Sequence, residues 1–289
     1  MPENIKIKCE KRQQLIQDRL IEPLEEKTRI KTLDDIIGQE EATERILYDL
    51  RLNRPKNIAL LGPDGIEKKD ILRVCFKEIQ NKGNNFFNSQ SKFVEYYPKK
   101  SHTEDFINDT LFGSVYVPDG SGIFKIPRPK MGAVTFANKG IIYVDNIDFM
   151  GNKLIKKLVD VAKEKKVLLK KPFETRMIPE HMEYVFKYGF PADFCLAVTV
   201  NDYKVLPHDL LDMCDLVYFK EQSRDEIIEI FKNTAKKGLF DIQQNVYSIV
   251  GDIAKSGNDA INILQHAAIH ALKDERKIII EEDLENILK

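Results

Sequence analysis

The stretch Asn57-Ile-Ala-Leu-Leu-Gly-Pro-Asp-Gly-Ile-Glu-Lys-Lys-Asp70 decides the fold. An apolar run leads into a glycine-bearing turn and then into a charged, helix-forming segment, which is the order strand, phosphate-binding loop, helix. An intact loop of this kind, GxxxxGK[ST], wraps backbone N–H groups around phosphates, points its lysine at the β/γ-phosphates and ligates Mg²⁺ through its hydroxyl. Here Gly62 and Lys68 fall in register, but Glu67 stands at the second glycine and Lys69 at the hydroxyl. Sliding the frame by one residue makes Lys69 the phosphate lysine and Asp70 the metal ligand, and leaves Lys68 where glycine is needed. Gly62, Gly65, Lys68 and Lys69 are therefore candidate nucleotide contacts in a loop that neither register completes. For the two lysines the alternative is a plain charged first turn of a surface helix.

From Leu33 to Phe219 short apolar runs alternate with helix-like stretches, the pattern of a parallel sheet covered by helices, an α/β fold of the P-loop NTPase αβα type. Asn57–Leu61, Lys92–Tyr96, Gly140–Val144 and Cys195–Val200 are the expected strands. Ile141-Ile-Tyr-Val-Asp145 is an apolar strand ending in an acid, the form in which an Asp helps to hold Mg²⁺ at the strand's carboxyl end. Asp145 reads equally as a helix cap or a salt-bridge partner. The next residue, where an ATPase of this architecture usually has Glu, is Asn146, which forms hydrogen bonds but is no base. After Phe219 the texture changes. Ser223-Arg-Asp-Glu226 has the form of a helix start, and 3.6-residue periodicity then runs through Ile227, Phe231, Val246, Leu264 and Leu272, which predicts a small all-helical domain over 220–289. Residues 1–32 form a helical extension and 33–219 the nucleotide-binding domain in this division.

The 289 residues carry a formal net charge of −1, with 43% apolar and 31% charged residues. Such a balance gives no overall electrostatic case for nucleic acid or an anionic membrane. Cys9, Cys75, Cys195 and Cys214 show no CxxC spacing and read as unpaired thiols. His266 and His270 lie four apart without a third ligand, so no metal site is expected. No apolar stretch has the length of a membrane span and Met1 is followed by no apolar leader, so a cytoplasmic location is expected. The His181–Tyr188 stripe of Met, Tyr, Val and Phe has helical spacing and is expected in the core. The lysine-rich stretch 163–171 is expected to be a solvated helix end and turn.

Five further segments carry a family resemblance: Leu33-Asp-Asp-Ile-Ile-Gly-Gln39, Leu111-Phe-Gly-Ser-Val115, Ile126-Pro-Arg-Pro-Lys-Met-Gly-Ala-Val-Thr135, Gly189-Phe-Pro-Ala-Asp-Phe194 and Ser256-Gly-Asn-Asp-Ala-Ile-Asn262. With them the chain resembles the AAA+ module of B-type (LonB-like) Lon proteases, the sporulation-associated bacterial branch in particular, from about Leu24 onward. The resemblance implies a nucleotide-binding domain, a helical lid and a hexameric ring that draws polypeptide through its centre. It also implies which positions should be functional, and most depart from the pattern. The sensor at the end of the fourth strand falls on Val200, beside Thr199 and Asn201. The two arginines of the inter-subunit finger segment fall on Leu211 and Met213, and the lid's sensor arginine on Asn258. Phe124, on a glycine-rich loop, matches a substrate-gripping pore loop or an ordinary loop with a buried Phe. The family continues into a Ser/Lys peptidase domain about where Lys289 ends the sequence, so no proteolytic dyad is expected here.

Losing an arginine finger removes roughly 10³ to 10⁵ in rate and losing a positioned base about 10² to 10⁴. The leading expectation is a pseudo-ATPase that binds ATP or ADP, with Mg²⁺, weakly or not at all, and serves as a regulatory or scaffold subunit through protein contacts. Its partners would be an active Lon-type or other AAA+ subunit, or copies of itself. A second expectation is a slow unfoldase subunit completed by a neighbour, with Arg54, Arg73, Arg128, Arg176 and Arg224 as the pool of arginines. A third, a clamp-loader-like nucleic-acid module, has only basic clusters such as 163–171 in its favour, and net charge makes nucleic acid an unlikely partner.

Overall fold

Near-continuous apolar runs form strands where both faces of a sheet are covered. Ile141–Val144 and Cys195–Thr199 meet that condition, since every residue in both is buried. The computed structural model describes residues 24–118, 126–173, 178–200, 204 and 206–285. They divide into two compact units: a sheet unit, 39–63 with 71–219, and a helical unit, 24–38 and 64–70 with 220–285.

The helices, in chain order, are α1 (Leu24–Thr28), α2 (Glu40–Arg51), α3 (Lys68–Lys82), α4 (Glu104–Leu111), α5 (Ala133–Phe136), α6 (Asn152–Glu164), α7 (Glu180–Tyr188), α8 (His208–Leu211), α9 (Arg224–Gly238), α10 (Gln244–Ile253), α11 (Gly257–Lys273) and α12 (Glu281–Glu285). The strands are β1 (Asn57–Leu61), β2 (Phe93–Tyr96), β3 (Gly113–Tyr116), β4 (Arg128–Met131), β5 (Ile141–Val144), β6 (Lys166–Val167), β7 (Phe190–Pro191), β8 (Cys195–Thr199), β9 (Cys214–Tyr218), β10 (Asp241–Ile242) and β11 (Ile278–Ile279).

In the sheet unit β1, β2, β5, β8 and β9 form one parallel sheet in the order β2-β5-β8-β1-β9. Strand period two sorts its side chains. Ala59, Leu61, Ile142, Val144, Leu196 and Val198 join a core with Phe112, Ile147, Met150, Leu154 and Leu158, while the alternate residues Ile58, Leu60, Ile141 and Ala197 are buried on the other side. There α2 and α3 supply Ile46, Leu50, Leu72, Phe76 and Ile79, all buried. Phe76 packs edge-on to Phe87 at 5.0 Å and near Phe93 of β2 at 6.0 Å. Cys75 and Cys195 are buried and Cys214 half-buried as free thiols. Among the described residues no helix is long and apolar enough to cross a membrane.

Four expected strands are present with ends shifted by at most one residue; Lys92, Gly140 and Val200 lie just outside β2, β5 and β8. The fifth strand, β9, was not expected. It is an edge strand with Asp215 as its second residue, so it lacks the continuous apolar run of the others. Asp215 is accommodated by Lys56, whose Nζ lies at 2.7 Å, and by Arg45. The Lys56 hydrogen bond holds the Asp215 carboxyl below its ordinary range, whereas burial raises that of neighbouring Asp49.

The core expectation for His181–Tyr188 is overturned. No residue of α7 is buried, Tyr184 is 61% exposed and Tyr188 49%, and their rings pair at 4.5 Å. Only Val185 and Phe186 lean on the core. Helical spacing says which residues share a face and not what that face meets. Residues 163–171 are a solvated helix end only in part: Lys165 closes α6 in the left-handed conformation and Lys163, Lys166 and Lys170 are exposed, but Lys166–Val167 form β6, and Val167 and Leu169 are buried.

The helical unit packs α9, α10 and α11 around Phe231, Val246, Val250, Leu264 and Ala268. Its first long helix starts where expected. The Ser223 hydroxyl accepts from the Glu226 N–H at 3.3 Å and the Glu226 carboxylate accepts from the Ser223 N–H at 2.6 Å, a reciprocal cap. The unit is not wholly helical, because β10 and β11 pair in parallel across it.

Gly140 opens β5 hard against β2: a Cβ there would overlap the Lys92 carbonyl oxygen and lie 2.8 Å from the Lys92 nitrogen. Gly140→Ala should therefore cost at least about 2 kcal/mol of stability, read from the urea midpoint at unchanged slope.

Candidate functional site

The carboxyl ends of β5 and β8 lie side by side, and the polar residues there are tied to one another. Thr199 Oγ1 donates to Asp145 Oδ1 at 2.6 Å, and Tyr143 Oη donates to the same oxygen at 2.7 Å. Asn146 Nδ2 donates to Asp145 Oδ2 at 3.0 Å. Tyr143 and Asp145 meet because residues i and i+2 of a strand share a face. Burial first, then the bond to Asp145, pushes the Tyr143 phenol well above its ordinary range and keeps it a donor. Among the described residues Asp145 makes no ion pair and caps no helix. It is a carboxylate with three of about four acceptor positions filled from its own sheet.

Asn146 adopts the left-handed conformation, φ 48° and ψ 58°. Asn is among the few side-chain-bearing residues that enter this region readily. The conformation turns its backbone N–H onto Thr199 Oγ1 at 2.8 Å, so Thr199 bridges two strand ends. Val200 is buried, 2% exposed, and takes no polar role; Thr199 beside it does, while Asn201 lies outside the described residues.

Leu211 and Met213 both pack against the sheet unit's core. The other arginines are mostly committed. Arg54 lies 3.7 Å from Asp193, Arg73 pairs with Glu95 and sits over the Phe93 ring, and Arg224 pairs with Asp252 at 2.8 Å. Arg128 is exposed on β4, with no ion pair among the described residues. Arg176 and Phe124 lie outside the described residues.

Gly62 leaves β1 with φ +136°, and a Cβ there would lie 2.6 Å from the Phe219 carbonyl oxygen, so this glycine of the loop is required by the backbone itself. Lys68, which begins α3, is 9% exposed and Lys69 half-buried. In the helical unit Gly65 has φ +82° and its carbonyl accepts from the Asn258 N–H at 3.1 Å. The Asn258 side chain is exposed and, with Asn262 and Gln265 one and two turns on, lines a cavity of about 260 Å³ that also takes in Arg29, Glu67 and Asp70. Burial, helped by the Asp70 charge and opposed by Lys237, pushes the Glu67 carboxyl up to about 7.

Sequence reasoning overlooked Tyr143 and Arg29. The strand's two-residue period was signal enough for the first. Nothing local signals Arg29, which reaches Asp70 across 41 residues.

No protein-family model matches the chain. It is 32% identical over 279 residues to Lon protease 2 of Bacillus subtilis (strain 168), covering 93% of this chain and 50% of that protein. The chain thus spans about half the length of that relative. Among solved structures it is similar to the RuvB Holliday junction branch migration motor of Thermotoga maritima, with a TM-score of 0.61 at 12% identity over 90% of this chain and 72% of that one. It is also similar to NtrX from Brucella abortus in complex with ADP, with a TM-score of 0.60 at 16% identity over 96% and 59%. These two likenesses establish the fold alone.

Two substitutions test the geometry. Thr199→Val removes a donor to Asp145 and an acceptor from Asn146 together and should cost about 1–3 kcal/mol by chemical denaturation. A carboxyl whose folded pKa lies above its unfolded value near 4.5 stabilises fully below that value and loses the contribution as pH rises through about 7. Wild-type stability should accordingly fall between pH 5 and pH 8. Glu67→Gln, which cannot ionise, should flatten the fall and exceed wild type at pH 8 by about 1–3 kcal/mol, measured by urea denaturation at both pH values.

Proposed function

Since the chain is an AAA+ module of the Lon protease family, we propose that it works as a pseudo-ATPase: a subunit that takes ATP or ADP weakly or not at all and acts through contacts with other proteins. The observation that carries the reading is the state of Asp145. Holding Mg²⁺ requires a carboxylate oxygen turned to the ion, and here Thr199, Tyr143 and Asn146 already draw on both oxygens. Mg²⁺ with a nucleotide would find one acceptor position, on Oδ2 beside the Asn146 donor, which supports weak holding rather than tight. The loop contributes no hydroxyl beside Lys68, and Asn146 spends its amide on Asp145 where a base would orient water.

The arginine positions support the same reading. Phosphoryl transfer depends on positioning and charge, and an arginine finger is worth roughly 10³ to 10⁵ in rate. Leu211 and Met213 put apolar side chains into a core at those positions, which favours packing over reach. The partner we propose is an intact Lon-type AAA+ subunit, with assembly of identical copies as the simpler case. A second reading, a slow ATPase completed by a neighbouring subunit, draws on the exposed Arg128. It requires Mg²⁺-dependent phosphate release that Arg128→Ala abolishes.

Calorimetry with ATP and ADP, with Mg²⁺ at low salt, tests the proposal on wild type and on Glu67→Gly with Lys69→Thr. The expected result is no binding by wild type up to millimolar nucleotide and measurable binding by the repaired loop. Micromolar binding by wild type would overturn the pseudo-ATPase reading.

A further inference from the structure

Loop 64–70 is held from two sides in the helical unit. On one side stands the segment before α2. Arg29 Nε lies 3.0 Å from Asp70 Oδ1, and Arg29 Nη1 lies 3.0 Å from Glu26. The Arg29 carbonyl accepts from Lys237 Nζ at 3.5 Å, and the same ammonium pairs with Asp35 at 2.8 Å. Asp35 in turn accepts from the N–H groups of Lys31 at 2.8 Å and Thr32 at 3.1 Å. The segment is therefore stapled to α9 through Lys237 and to the first turn of α3 through Arg29.

On the other side is the start of α11. A helix begins with N–H groups that lack intrahelical partners, and these are a ready site for anions. Here the first three are spent inside the protein. Gly257 N–H donates to Gln222 Oε1 at 2.6 Å, Asn258 N–H to the Gly65 carbonyl at 3.1 Å, and Asp259 N–H to Ser256 Oγ at 3.2 Å. Gly65 approaches so closely that a Cβ on it would lie 2.8 Å from Ser256 Cβ.

We infer that Arg29 and the first turn of α11 form an autoinhibitory latch on loop 64–70, which a polyphosphate must open before the loop can receive it. The inference rests on the reading of this loop as a weakened nucleotide site and names how the weakness is enforced. A guanidinium offers the planar donors that a phosphate accepts. Here those donors are turned on Asp70 and Glu26. Drawing Arg29 toward a phosphate breaks its pair with Asp70 at the end of the loop, so an incoming polyphosphate must give up that ion pair before the loop is released.

Arg29→Gln combined with Asp70→Asn removes one charge of each sign, so it breaks the pair without changing the net charge. The comparison is made on the full chain, in wild type and in the Glu67→Gly, Lys69→Thr background. ADP calorimetry gives one readout and hydrogen exchange of the Gly257–Asp259 amides without nucleotide gives the other. The latch predicts at least tenfold tighter ADP binding in the repaired background and at least tenfold faster exchange at Asn258 in both, with exchange in α9 unchanged. No gain in ADP affinity, or unchanged exchange at Asn258, overturns it. Should the charge swap unfold the helical unit, Arg29→Lys keeps the charge, loses the planar fork and makes the same comparison. Wild-type binding in the micromolar range would sink the pseudo-ATPase reading while leaving this comparison intact, so the two failures are distinct.

Discussion

All five strands of the central sheet run in the same direction, so every connection must cross a face of the sheet and every carboxyl end emerges along one edge. That constraint brings Leu61, Tyr96, Val144, Thr199 and Tyr218 to the same rim. Residues just beyond these ends share the rim however far apart they are in sequence. Polar groups there must find partners or stay wet, because the strands behind them are dry. Thr199 shows the outcome: a single hydroxyl gives its proton to one neighbour and accepts from another, closing the ends of β5 and β8 together. In open parallel sheets this rim is where ligands generally bind.

At most of the positions where the family resemblance leads one to expect other residues, the residue present has a structural task. Asn146 occupies a backbone conformation that suits Asn and braces Asp145. Leu211 and Met213 are partly buried and pack against the sheet unit's core. Asn258 uses its backbone rather than its side chain to meet Gly65. Glu67 is the exception. A carboxyl pushed up toward neutrality by burial is a cost, offset only in part by Lys237, and nothing else in the fold calls for it.

Much of this was legible in the sequence because it is local. The strands with continuous apolar runs, the reciprocal cap at Ser223 and Glu226 and the acid ending β5 each follow from a few neighbouring residues. What escaped is non-local or a matter of context. β9 carries Asp215 because Arg45 and Lys56 arrive from elsewhere to meet it. Exposure of Tyr184 and Tyr188 depends on what α7 packs against, which its own spacing does not encode. Arg29 reaches Asp70 only through the fold. The acid at the end of β5 is plain in the sequence, but its hydrogen bonds to Tyr143, Thr199 and Asn146 are not.

The left-handed backbone at Asn146 bears on the history of such a chain. An L-residue with an ordinary side chain loses about 1–2 kcal/mol in that conformation, and Asn loses less. A glutamate returned to this position would meet that strain before it could orient any water, and it would also strip Asp145 of a donor. The backbone has become entrenched around its occupant. On the pseudo-ATPase reading proposed above, restoring hydrolysis would thus demand several concerted replacements, and single changes would meet a ratchet, easy in one direction and blocked in the other.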